Sequence, residues 1–126
     1  MAKQTGIKHF WILIPIYGAI LFLFLYFIST LYYPGGSQAD KNSFGFSWIH
    51  NYWCNLLNDN AINGQSNTAQ PIALTAMFIL CVTLTLFWVQ FPMFTSLNKA
   101  YKLTIQISGS LAMLIGTFYL QSTTMT

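Results

Sequence analysis

Three long stretches of the chain are almost free of polar interruption. They read FWILIPIYGAILFLFLYFISTLYY (10–33), PIALTAMFILCVTLTLFWVQFPMF (71–94) and LTIQISGSLAMLIGTFYLQ (103–121). About 20 apolar residues, rising 1.5 Å each, cross the roughly 30 Å hydrocarbon layer of a bilayer. The pattern therefore predicts an all-α integral membrane protein, a single transmembrane domain over residues 1–126 with spans at about 10–33, 71–94 and 103–121. The first stretch is too long for the 7–15-residue core of a signal peptide, and it ends in Tyr32 and Tyr33 where a cleavage site needs small residues. Pro15 falls in the first turns of that span, where a missing N–H costs little. The two tyrosines suit an aromatic belt at the membrane–water boundary.

Between the first two spans lies one long polar connection, residues 34–70. Its opening, PGGSQADKN, is turn-rich. Within it, residues 44–59 (FGFSWIHNYWCNLLND) repeat apolar side chains at helical spacing. Trp48, Ile49, Tyr52, Trp53, Leu56 and Leu57 share one face, while Ser47, His50, Asn51, Cys54, Asn55 and Asn58 share the other. The expectation is an amphipathic helix in the outer loop, lying in the headgroup plane or packed across the spans. In the third span Gly109, Ala112 and Gly116 recur at i, i+3 and i+7 and predict a small-residue face for close helix packing.

Composition sharpens the class. Of 126 residues 55% are hydrophobic and only 6% are charged: five Lys, two Asp, no Arg and no Glu, for a net charge of +3. Seven charges cannot clothe a soluble globule of this length, and 17% aromatic residues exclude disorder. No basic run or basic–aromatic interleaving supports nucleic-acid binding. The lysines instead set orientation. Lys3 and Lys8 flank the first span and Lys99 and Lys102 stand between the second and third, leaving only Lys41 on the opposite side. The positive-inside rule then puts the N-terminus in the cytoplasm and the 34–70 loop and the C-terminus outside, in a plasma (bacterial inner) membrane.

The segment from Tyr32 to Ala73, with a polar loop, an HNYWCNLL stretch and a Pro-started second span, resembles the DUF998-like family of prokaryotic integral membrane proteins. His50, Trp53, Cys54, Asn55 and Leu56 occupy the comparable stretch. The resemblance covers roughly residues 10–121. It implies about six spans in a full member and no securely attached activity, so this chain looks like the N-terminal half, either a naturally short member or a truncated one.

Two constellations suggest chemistry. On a helix, His50 and Cys54 would share a face at i, i+4, and with Asp59 they offer three metal-type ligands, one short of a structural zinc set. The plainer reading is a polar face bonding to loops and headgroups, and no metal or cofactor is assigned. Cys54 with His50 as base, oriented by Asn51 or Asn55, is the nucleophilic alternative, but two groups on one short helix do not readily converge on a substrate. Gln90 and Gln106 are the polar residues near the inner boundary. Gln90 can reach out to the interface, and neutral amides there usually bond to neighbouring helices. No ionisable residue falls inside a predicted span, which argues against a pump or proton-coupled transporter.

The reading that results is a non-enzymatic lipid- or protein-binding membrane module. Its candidate contact residues are Trp48, His50, Tyr52, Trp53, Cys54, Asn55 and Asp59. Its expected partners are the lipid bilayer and a second copy, another membrane protein or a missing C-terminal half. The alternative is a lipid-active, hydrolase-like enzyme with an outer polar site around His50, Cys54 and Asp59.

Overall fold

A computed structural model describes the backbone of residues 2–124 and the side chains of residues 9–122. Lys3 and Lys8, which carry half of the orientation argument, have side chains outside the described residues. The described chain contains three α-helices, α1 (Ala2–Leu31), α2 (Gln70–Gln90) and α3 (Lys99–Thr124), two short 3-10 segments and no strand. Three segments, His9–Leu31, Gln70–Phe94 and Lys99–Ser122, are long and apolar enough to cross a membrane.

The helix limits differ from expectation for local reasons. α1 ends at Leu31, so Tyr33 leaves the helix and is only 3% exposed. It is a core residue of the connection, where its hydroxyl accepts the Ile62 N–H at 3.0 Å, and not a belt residue. α3 starts at Lys99 because Asn98 caps it, its side-chain oxygen accepting the Tyr101 N–H at 3.1 Å. Lys99 and Lys102 thus belong to the first turn of α3 and not to the preceding loop. α2 passes into a 3-10 turn over Phe91–Phe94, as Pro92 has no N–H to continue the helix.

The expected amphipathic helix over 44–59 is not formed. Only Trp53–Leu57 is helical, as a 3-10 turn, and Phe44 instead bridges Gly35. The competing forces are visible in the sequence after the fact: Asn and Ser side chains offer the backbone local partners that rival the helical ladder. Asn51 takes the Ser47 N–H on its oxygen at 2.8 Å and donates to the Gly36 carbonyl at 2.9 Å, pinning a turn.

The chain divides into two compact units. One comprises Phe22–Met77; the other comprises Met1–Leu21 with Phe78–Thr126. The first unit holds the end of α1, the whole connection and the start of α2. Its core is Tyr26, Tyr33, Leu56, Ala61, Ala69, Ala73 and Ala76. The second unit holds the remaining parts of α1 and α2 and all of α3.

Candidate functional site

Within Phe22–Met77 the connection closes through a polar knot centred on Asn67. Its amide nitrogen reaches the carbonyls of Asn55 (3.1 Å), Leu56 (3.1 Å) and Asn58 (2.8 Å). Its oxygen accepts the Ala69 N–H at 3.1 Å, just ahead of α2. One side chain therefore satisfies the end of the 3-10 turn and prepares the next helix. Gln70 extends the knot, donating to the Leu57 carbonyl at 3.0 Å and to the Asp59 carboxylate at 2.6 Å. Gly36 closes the other side of the loop. Its φ of +85° suits glycine, and a Cβ there would run into the Asn63 nitrogen and Ile62.

Aromatic rings attach this loop to the last turns of α1. Trp53 stacks on Tyr26 with centroids 5.2 Å apart, and the Tyr26 hydroxyl donates to the Trp53 carbonyl at 2.8 Å. Trp48 stacks on Phe27 at 5.8 Å and meets Phe46 edge-on, which in turn meets Tyr33 edge-on. Trp48 and Trp53 are thereby held beside residues four to five positions before the end of α1.

The surface of this unit is mixed: Gln38, Asp40, Lys41, Asn42, Asn58, Asp59 and Asn60 are exposed, and so are several large apolar side chains. Asn51, Asn55 and Asn67 are buried, Asn55 at 5% exposure, while Phe44 is fully exposed and Ile49 is 86% exposed. Trp48, Tyr52 and Trp53 are more than half exposed as well. The predicted faces do not survive, because they presuppose a helix. Leu56 and Asn55 both point inward, and the apolar residues that remain outside are Trp48, Ile49, Tyr52 and Trp53.

The candidate chemical residues are not brought together. His50 lies in a turn with its Nδ1 3.4 Å from the Ser47 hydroxyl. Asp59 is engaged by Gln70, and Cys54 is an exposed free thiol. Both ends of the Asn51 amide are committed to backbone, so it does not orient the imidazole. Among the described residues no three His, Cys, Asp or Glu side chains are grouped to hold a metal ion. The i, i+4 spacing of His50 and Cys54 loses its meaning once the α-helix is absent.

In the other unit, Gly18 of α1 lies against Thr83 of α2, and Gly109 of α3 lies against the ring of Trp88; a Cβ at either glycine would collide. Gly109 is thus in close contact with a neighbouring helix. Ala112 is exposed, and Gly116 has nothing within 4 Å, so the small-residue face is used at one of its three positions. Two glutamines complete the unit. Gln90 donates to the Trp11 carbonyl at 3.0 Å and Gln106 to the Val89 carbonyl at 2.8 Å. Sequence reasoning placed both amides but not their acceptors. The signal was present in the prolines, each of which removes a backbone donor near the carbonyl that is capped.

No family model, curated protein or solved structure matches this chain, and none of these comparisons supports the DUF998-like resemblance.

Proposed function

We propose that this protein is a non-enzymatic membrane module whose three apolar helices span a bilayer and whose 34–70 connection rests in the lipid interface. The observation that carries the reading is the exposure of Trp48, Ile49, Tyr52 and Trp53, four large apolar or aromatic side chains within six residues of the connection. Exposing large apolar side chains in this number is unfavourable in water and favourable at a lipid boundary, where Trp and Tyr rings also concentrate. The stacking of Trp48 and Trp53 on Phe27 and Tyr26 supports it further. Those partners lie about 6–8 Å of helix rise before Leu31, the depth at which an interfacial element sits. The lysine distribution orients the module with Lys99 and Lys102 toward the cytoplasm and the 34–70 connection outside.

A spin label at Ile49→Cys, in a Cys54→Ser, Cys81→Ala background reconstituted in bilayers, tests the reading. It is expected to be more accessible to oxygen than to a water-soluble nickel complex. The opposite order would place the loop in water and overturn it. Protection from both relaxants would mean that protein covers the loop, which would replace lipid with a protein partner.

A further inference from the structure

We infer that the α1–α2 groove seats one acyl chain of an anionic phospholipid, drawn from the leaflet on the lysine side of the membrane. The groove belongs wholly to the unit formed by the first part of α1, the second part of α2 and α3. Phe10, Ile14 and Leu21 of α1 line one wall and Phe78, Val82 and Leu86 of α2 the other, around about 600 Å³.

Dimensions choose the occupant. From Phe10 to Leu21 the helix rises about 16 Å, close to half of the roughly 30 Å hydrocarbon layer. The groove is therefore one leaflet deep. Spread over that length, its volume leaves a mean cross-section of about 36 Å². A helix of 10–12 Å diameter needs about two to three times that area, whereas a single hydrocarbon chain is slender enough to lie along it.

Charge chooses the headgroup. Every charged residue of this unit is a lysine: Lys3, Lys8, Lys99 and Lys102, with no Asp or Glu. The groove begins at the same end as the lysines of α3. Gln90 joins the end of α2 to Trp11, beside Phe10. Gln106, one turn after Lys102, joins the start of α3 to Val89. The only charges this unit offers a negative headgroup are positive, and basic residues at the cytoplasmic side of transmembrane helices favour anionic lipids in general.

The inference rests on membrane insertion, and the experiment separates the two. The protein is reconstituted in nanodiscs that mix phosphatidylglycerol and phosphatidylcholine of identical chains, and the lipid retained after mild detergent extraction is measured by native mass spectrometry. The expected result is a preference for phosphatidylglycerol that falls roughly fivefold for each of Lys99→Gln and Lys102→Gln and is lost in Val82→Trp, which fills the groove from its exposed rim. Leu21→Trp, on the opposite wall, is expected to act alike, and circular dichroism checks that each variant keeps its helices. Failure to incorporate into nanodiscs overturns the membrane reading together with the groove. Incorporation with equal retention of both lipids overturns the anionic seat alone. A preference that survives both Trp variants overturns the groove as its location. Dimers that dissociate in the Trp variants would make the occupant a second copy.

Discussion

The amide of Gln90 takes the place of the N–H that Pro15 lacks. In a regular helix the Trp11 carbonyl is paired with the N–H of residue 15; here residue 15 is proline, and the Gln90 nitrogen sits 3.0 Å from that carbonyl. Because α1 begins at Ala2, Pro15 is well inside the helix and not in its first turns. The missing bond is therefore a genuine defect, repaired from a neighbouring helix as apolar surroundings demand.

This pairing predicts a specific coupling. Gln90→Leu is expected to destabilise the protein by about 1 kcal/mol, the scale of an interhelical hydrogen bond in a membrane. In a Pro15→Ala background residue 15 supplies its own N–H, so the loss should shrink to near zero. A double-mutant cycle on unfolding in mixed micelles measures the difference. Equal losses in both backgrounds would show that the two residues act independently.

Asn67 holds the connection together, so its removal should release the loop while sparing the long helices. Asn67→Ala strands three carbonyls and is expected to cost about 2–3 kcal/mol. Limited proteolysis should then cut within residues 34–66 at protease levels that leave the parent intact, with helical circular dichroism nearly unchanged. Resistance equal to the parent would mean that the aromatic stacking suffices.

Gly109 and Gly116 should respond oppositely to alanine. At Gly109 the added methyl meets Trp88, and overpacking of this kind costs about 1–3 kcal/mol. At Gly116 nothing lies within 4 Å, so alanine should be neutral or stabilising by about 0.5–1 kcal/mol through the backbone alone. Thermal denaturation in detergent ranks the two. A large loss at Gly116 instead would point to a neighbour outside the chain.

The two thiols should differ in reactivity. Cys54 is exposed, whereas Cys81 is buried within α2 at 8% exposure. A membrane-impermeant maleimide is expected to modify Cys54 in intact cells and to leave Cys81 unmodified. Modification of Cys54 only after the cells are opened would reverse the proposed orientation.

Much of this architecture was already readable in the order of residues. Runs without charge fix where the membrane-length helices lie, since helix is the only local structure that pairs every backbone group within a single apolar segment. The ends are less legible: the apolar run starts at Leu103, whereas the Asn98 cap starts α3 four residues earlier, at Lys99. The 44–59 segment shows the limit. Its apolar spacing fits a helix, yet Asn51 finds Gly36, fifteen residues earlier, and Asn67 reaches back to Asn55, Leu56 and Asn58. Periodicity reports what each residue prefers near itself and carries no information about such distant partners. For the same reason the sequence put His50, Cys54 and Asp59 together while the fold keeps them from forming a group. It also read Pro15 as a harmless first-turn proline and Gln90 as a boundary amide, and only the packing of α1 against α2 makes them a pair, since a carbonyl left open in an apolar layer must be met by whichever donor the tertiary structure brings to it.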